Sequence, residues 1–283
     1  MRVCTLGDLL LDVVVRLGAP LEPGSDAPAR TTLSTGGQAA NVAAWAVALG
    51  AQARLVCRRG SGGAAILAEQ GLRARGVELV GPQSDEEGGV VVSLVDGSGD
   101  RTMASDRGAA PGLGAADLDP DWFVDVDALH LSGYALLREP IAGAARRAAA
   151  LARAAGARVS VDLAAAPLIV AHGAGRFRAE LAELAPDVAF ATDGEEQALG
   201  GPLPGVIWVR KRGPAGCEVL SGGEHLVLPI VPGDVLDSTG AGDALAAGFL
   251  VGGALPGALQ SGLAAAARCV ATTGAMPPTV SAR

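Results

Sequence analysis

Asp237-Ser238-Thr239-Gly240-Ala241-Gly242-Asp243 runs without a break into an apolar stretch, residues 244–250, of the kind that forms a buried helix. Small residues at 240–242 let the backbone come close to an anion. The amides of a helix start offer that anion donors and a partial positive charge. A carboxylate in the same first turn is out of place if the task is phosphate binding alone. It makes sense where the carboxylate takes a proton from a hydroxyl while the amides hold the phosphoryl oxygens, the pairing that phosphoryl transfer needs. Taken alone, the stretch also reads as a Gly-rich loop with Asp243 as a helix cap.

Working outward, short apolar runs at 55–56, 128–131, 158–161, 187–190 and 206–209 read as buried strands. Ala-rich stretches at 38–49, 64–75, 140–155, 175–184, 242–250 and 256–272 read as helices. Their alternation predicts an α/β fold with a mostly parallel sheet and helices on both faces. Ligands in such folds sit at the carboxyl ends of the strands. Residues 12–17, 29–34 and 90–105 alternate apolar and polar side chains instead, with a turn at Asp96-Gly97-Ser98-Gly99-Asp100. They predict a small β-sheet outside the main layer, acting as a lid on a single domain spanning 1–283. Residues 276–280 read as an extended tail. Residues 244–267 carry no charge and are long enough to span a bilayer, but Gly252-Gly253, Pro256 and Gln260-Ser261-Gly262 break them into two buried helices.

Hydrophobic residues make up 49% of the 283 and charged residues 18%, enough apolar material to exclude a disordered chain. A net charge of −8 without a basic cluster argues against nucleic-acid and anionic-membrane partners, whose phosphates would repel it. Cys4, Cys57, Cys217 and Cys269 form no CxxC pair, and His130, His172 and His225 lack metal-ligand spacing, so neither a disulfide framework nor a zinc site is expected. The N-terminal apolar stretch carries Asp8 and no cleavage signal, so the protein is expected in the cytoplasm.

At the other end of the chain, Gly36-Gly37-Gln38-Ala39-Ala40-Asn41 opens the first long helix. Two glycines admit a ligand close to the backbone, and the Asn41 amide both donates and accepts, which suits a polyhydroxyl compound. The alternative is a tight strand-to-helix turn with Asn41 solvated. Together, DSTGAGD before the last helices and GGxxxN before the first resemble the two signatures of the PfkB family of carbohydrate kinases, also called ribokinase-like. The likeness covers nearly the whole chain. Gly7-Asp8-Leu9-Leu10-Leu11-Asp12 resembles the family's first strand with its sugar-binding acid. Gly99-Asp100-Arg101-Thr102 and Arg107-Gly108-Ala109 resemble the lid and its return, and 129–134 a mid-chain strand and turn. Lys211-Arg212-Gly213-Pro214-Ala215-Gly216 resembles the KxGxxG nucleotide loop, and Gly274-Ala275 the segment that closes the adenine side.

The resemblance implies a ribokinase-like three-layer α/β/α sandwich with a β-sheet lid. It implies ATP-dependent transfer of the γ-phosphoryl group to a sugar hydroxyl, with Mg2+ and, in some relatives, K+. Asp243 would be the catalytic base, and the amides of Gly240, Ala241 and Gly242 the anion hole. Asp12, Gly36, Gly37, Asn41 and Arg107 would meet the acceptor. Asp8 would do so too, or else fix the strand-end turn. Lys211, Gly213, Gly216, Thr239 and Gly274 would meet the nucleotide, with Lys211 as an ordinary surface residue the alternative. Glu195 would help organise magnesium, largely through water, and Asp237 would either serve a monovalent cation or brace its loop. A homodimer built through the lid is the partner expected by resemblance.

Departures from the pattern bear on the acceptor. Thr192 replaces the Asn of the family's Asn-x-x-Glu motif, which predicts weakened magnesium binding. Ala164 and Ala166 stand where sugar-acid kinases carry an Asn and an Arg, which argues against a carboxylate substrate. Residues 58–63 lack the usual acidic Gly-Asp-Asp and look shortened. A nucleoside kinase, such as one for pseudouridine, is the alternative, but aromatics are only 3% and the lid offers Val92, Leu94 and Met103 rather than a ring. A sugar phosphate would call for Arg101 and Arg107. A non-catalytic sugar- or nucleotide-binding protein of the same fold is the remaining alternative, and the intact Asp243 argues against it.

Overall fold

The computed structural model describes residues 1–98, 101–163 and 165–279. In chain order the strands are β1 (Arg2–Leu6), β2 (Leu10–Leu17), β3 (Ala29–Gly36), β4 (Gln52–Val56), β5 (Arg59–Ser61), β6 (Glu78–Val80), β7 (Gln83–Val95), β8 (Arg101–Gly108), β9 (Ala128–Ser132), β10 (Arg158–Asp162), β11 (Val188–Thr192), β12 (Ile207–Lys211), β13 (Cys217–Ser221) and β14 (Glu224–Leu228). The helices are α1 (Gln38–Ala48), α2 (Gly62–Arg73), α3 (Ile141–Ala154), α4 (Ala166–His172), α5 (Ala174–Leu184), α6 (Asp193–Leu199), α7 (Ala241–Val251) and α8 (Gly257–Val270).

Among the described residues the main sheet has nine strands, in the order β14-β13-β12-β11-β10-β9-β1-β4-β6. It is parallel from β12 through β6 and antiparallel at the β12-β13-β14 edge. Alternate side chains of one strand feed opposite cores, as the two-residue period requires. In β11, Val188 and Phe190 join one core with α1, α2, α7 and α8, while Ala189 and Ala191 join the other with α3, α4, α5 and α6. Helices thus cover both faces of the sheet, giving the expected three-layer sandwich. The many alanines of α1, α3, α7 and α8 let these helices pack close to the sheet and to each other, so little aromatic bulk is needed.

The lid is a second sheet, ordered β3-β2-β7-β5, with β8 paired antiparallel to β7. β2 pairs with β3 antiparallel and with β7 parallel. In the turn between β7 and β8, Asp96 Oδ1 accepts the Ser98 amide at 2.9 Å. Gly99 and Asp100 of that expected turn, Ala164, and Val280 of the expected tail lie outside the described residues.

One expectation is corrected. Residues 7–12 are not the first strand: β1 ends at Leu6, and Gly7-Asp8-Leu9 is the bend by which the chain leaves the main sheet for the lid. The loop at 58–63 forms β5, which pairs with β7 and ties α2 to the lid. The uncharged stretch at 244–267 divides into α7 and α8 as read. No helix among the described residues is long and apolar enough to cross a membrane.

Candidate active site

The carboxyl ends of the parallel strands stand level. Leu6 pairs with Leu131, Asp162 with Ser132 and Phe190, and Thr192 with Lys211. Loops from both sheets meet along this edge.

Where the chain passes from β1 to the lid, the Arg107 guanidinium donates from Nε and Nη2 to both oxygens of Asp8, at 2.6 and 2.8 Å. Nη2 also reaches the Tyr134 carbonyl at 3.3 Å. Asp8 is only 7% exposed, so the pair is held mostly away from water. The glycines of the second turn are required by contact. Gly37 has φ 103°, and a Cβ on it would fall 2.3 Å from the Asp8 carbonyl oxygen. A Cβ on Gly36 would fall 2.2 Å from the Asp12 carboxylate. Burial pushes Asp12 up to about 6, so it titrates close to neutrality.

Asn41, in the first turn of α1, donates from Nδ2 to Asp243 Oδ2 at 2.7 Å. Its own Oδ1 is buried without a hydrogen-bond partner in the protein, an acceptor available to a ligand hydroxyl. This contact joins residues 202 positions apart and sets the acid of the last signature against the turn of the first. Burial pushes Asp243 up to about 7; the Asn41 amide and Lys211 oppose the shift, and Asp162 and Asp12 add to it. A carboxylate poised there can take a proton near neutral pH.

At the start of α7, Gly240 precedes the helix with φ 76°, and a Cβ on it would lie 2.6 Å from the Ala275 backbone. The Ala241 amide closes a turn on the Ser238 carbonyl at 3.4 Å. The amides of Gly242 and Asp243 follow in the first helical turn, where an α-helix supplies no carbonyl of its own. Asp237 Oδ1 accepts from the Thr239 amide and hydroxyl at 2.9 and 2.5 Å, and Oδ2 from the Gly274 amide at 3.0 Å. Of the two roles expected for Asp237, this geometry is that of a loop brace. Burial works against its charge, but these donors and Arg101 hold it below the usual carboxylate range.

Arg101 is one of the two cations that a sugar-phosphate acceptor would call for. It reaches the other end of the site, with Nη2 at 3.1 Å from Asp237 Oδ1 and 3.3 Å from Ser238 Oγ. A cavity of about 220 Å3 lies between lid and loop here, lined by Val14, Arg16, Val95, Arg101, Asp237 and Ser238 among others.

Lys211 ends β12 and donates from Nζ to Asp162 Oδ2 at 2.6 Å. It is no surface residue: its side chain is 13% exposed and that of Asp162 1%. Gly213 and Gly216 shape the following loop with φ 51° and 94°, and Gly216 packs on the Leu228 carbonyl. Glu195 is 6% exposed. Its Oε2 accepts the Thr192 amide at 2.8 Å, and Thr192 Oγ1 accepts the Glu195 amide at 3.3 Å. This reciprocal cap opens α6 and explains Thr at 192: the hydroxyl serves the helix start.

Sequence reasoning left Asp162 and Tyr134 without a role. Tyr134 is only partly exposed, and its hydroxyl is pushed above its usual range by burial and by Glu195, Asp162 and Asp243. The signal for Asp162 was its place as the last residue of a buried strand at the ligand edge.

The chain matches the pfkB family carbohydrate kinases over residues 1–282. It is 31% identical to an ATP-dependent ribose-1-phosphate kinase of Halopiger xanaduensis, over 96% of this chain and 92% of the relative. Solved structures share the fold. The adenosine kinase of Sinorhizobium meliloti superposes with a TM-score of 0.85 at 24% identity, covering 98% and 95% of the two chains. A candidate ribokinase II from E. coli, solved with ATP and Mg2+, superposes at 0.84 and 22% identity, covering 99% and 96%. With a family match over this span, and with both end signatures meeting at the Asn41–Asp243 contact, the chain belongs to the pfkB family of carbohydrate kinases and is an ATP-dependent phosphotransferase acting on a sugar hydroxyl.

Proposed function

We propose that Asp243 takes the proton of an acceptor hydroxyl while the backbone around Gly240, Ala241 and Gly242 holds the γ-phosphoryl group of ATP. The observation that supports this reading is the Asn41–Asp243 contact, which brings the Asp243 carboxylate against the helix that the Gly36-Gly37 turn opens. Asp12, Gly36, Gly37 and Asn41 surround the acceptor, and ionised or half-ionised carboxylates there accept hydrogen bonds from sugar hydroxyls. Lys211, Gly213, Gly216, Thr239 and Gly274 surround the nucleotide. The donor set fits magnesium held through water: one Glu195 oxygen is bound to the Thr192 amide, and the other is left for a metal-bound water. Bound there, magnesium would neutralise charge on the β- and γ-phosphates.

The test is a phosphorylation screen over pentoses, hexoses, sugar phosphates and nucleosides including pseudouridine, with Mg2+ and with or without K+. Turnover of no acceptor by folded protein would overturn the reading. Within it, Asp12→Ala should raise the acceptor KM by at least about tenfold, the loss of one or more charged hydrogen bonds, and leave the ATP KM within about twofold. Equal effects on both would remove Asp12 from the acceptor side.

A second acceptor, a sugar monophosphate, is favoured by Arg107, a guanidinium at the acceptor end whose present partner is the bidentate Asp8. The Halopiger relative, named for ribose 1-phosphate, points the same way. Arg107→Gln should then raise the KM of the phosphorylated acceptor at least about tenfold more than that of the free sugar, since only the first has an anion to lose a partner. The same change on both would exclude a phosphate contact.

We also propose a cytoplasmic homodimer through the lid, supported by the exposed apolar Leu33 and Met103 on its strands, 54% and 61% exposed. Sedimentation of the protein and of Leu33→Glu tests the dimer.

A further inference from the structure

The chain holds 21 arginines and one lysine, Lys211. Wherever a cation merely keeps the surface charged, this protein uses Arg. The exception is buried: Lys211 lies between Asp162 and the first turn of α7. Its Nζ is 2.6 Å from Asp162 Oδ2. A Cβ placed on Gly242 would be 3.5 Å from Lys211 Cδ and Nζ. An ammonium is a compact point charge with three donors, whereas a guanidinium is a broad planar fork with five N–H groups to satisfy. Asp162 takes one of the three donors. The others remain beside the Gly242 backbone, where the phosphoryl group is gripped.

Asp162 does not leave the pair electrically blank. Burial opposes the charge of the ammonium, but the negative charge of Asp162, Glu195 and Asp243 raises Lys211 above its ordinary range.

Building on the proposed roles of Asp243 and α7, we infer that Lys211 is a catalytic residue, whose ammonium, anchored on Asp162, contacts the migrating phosphoryl group from beside the α7 amides. Asp162 is its positioning residue. In the step, the acceptor oxygen forms the new P–O bond, the bond from the γ-phosphorus to ADP breaks with its electron pair going to ADP, and the acceptor proton goes to Asp243. Lys211 transfers nothing. It neutralises charge on the phosphoryl oxygens, which is worth more in a water-poor site than in solution.

The test compares Lys211→Ala, Lys211→Arg and Asp162→Asn for kcat, ADP affinity by calorimetry and thermal midpoint. Lys211→Ala should bind ADP within about threefold of the parent and lose about 100- to 1,000-fold in kcat, the scale for removing one transition-state donor. Propylammonium, but not propanol, should restore at least about tenfold of that loss, since the truncated stem leaves room for it. Lys211→Arg should also lose at least about tenfold, because charge without fit is not enough. Asp162→Asn, which keeps an acceptor for Nζ, should lose less than Lys211→Ala and leave ADP binding unchanged. A Lys211→Ala kcat within threefold of the parent, a loss that propylammonium fails to reverse, or a fully active Lys211→Arg would each overturn the inference. Should Lys211→Ala not fold, parental kcat in both Lys211→Arg and Asp162→Asn overturns it. An inactive Asp243→Asn with an active Lys211→Ala removes the lysine alone; an active Asp243→Asn removes the underlying reading.

Discussion

Asp243→Asn is expected to lower kcat by about three to four orders of magnitude while ATP and acceptor KM change little. That is the upper part of the range for losing a positioned general base. The substitution keeps shape and can keep the hydrogen bond from Asn41, so the loss isolates the proton-accepting charge. The parent enzyme should show an acid limb in kcat with a midpoint near pH 7, because burial places the carboxyl at about 7. The variant should lack that limb. A second readout follows from linkage. The ordinary carboxyl value is 3.8, and the folded one is raised to about 7. Between these values the folded protein keeps a proton that the unfolded chain has released. The contribution of Asp243 to stability is therefore fully present below about pH 4 and is lost as pH rises through 7. Asparagine carries no such dependence, so the variant should gain thermal midpoint relative to the parent from pH 5 to pH 8. A parental kcat, or a midpoint difference that does not grow with pH, would remove Asp243 from the role of base.

Gly37→Ala is expected to destabilise the protein by about 3 kcal/mol, the sum of roughly 1–2 for a left-handed backbone and 1–3 for a forced overlap. The φ of 103° excludes an ordinary side chain, and the built Cβ falls 2.3 Å from the Asp8 carbonyl oxygen, a backbone atom that cannot swing aside. The thermal midpoint should drop by about 6–10 °C, from the scaling for domains of this size. The acceptor KM should rise at least about tenfold more than the ATP KM, because Asp8 and Asp12 both flank the displaced turn. Gly175→Ala is the control. It lies within α5 with nothing within 4 Å of its built Cβ and should gain about 1 kcal/mol from helix propensity. Equal stability of the two variants would show that the turn tolerates a side chain.

The parts of the fold that were legible are those fixed by local pattern. α1, α3, α7 and α8 were readable because long Ala-rich stretches bounded by Gly and Pro admit few alternatives. The lid hairpin of β7 and β8 was readable from two-residue alternation. The antiparallel edge of β13 and β14 was not singled out, because Cys217–Ser221 and Glu224–Leu228 are short and half polar, and pairing with β12 decides them. The turn at 7–9 was taken into the first strand because 3–6 and 9–11 are equally apolar; the break is set by two sheets competing for the chain, which no local pattern reveals. At the site, the acid, the glycine turns and Asn41 were visible as motifs. The Asp162–Lys211 pair was not, since it joins residues 49 apart whose relation exists only once β10, β11 and β12 lie side by side. That Arg101 and Arg107 reach different acids was not legible either, because both lie on one face of β8 and sequence spacing does not say how far along the cleft each reaches.

That shared strand joins two loops that belong to different parts of the main sheet. Residues 101 and 107 of β8 lie six positions apart, so about 20 Å of rigid strand separates them, and each ends in an ion pair with a different bank of the cleft, Asp237 on one and Asp8 on the other. A tilt of this crossbar cannot loosen one fastening without straining its counterpart.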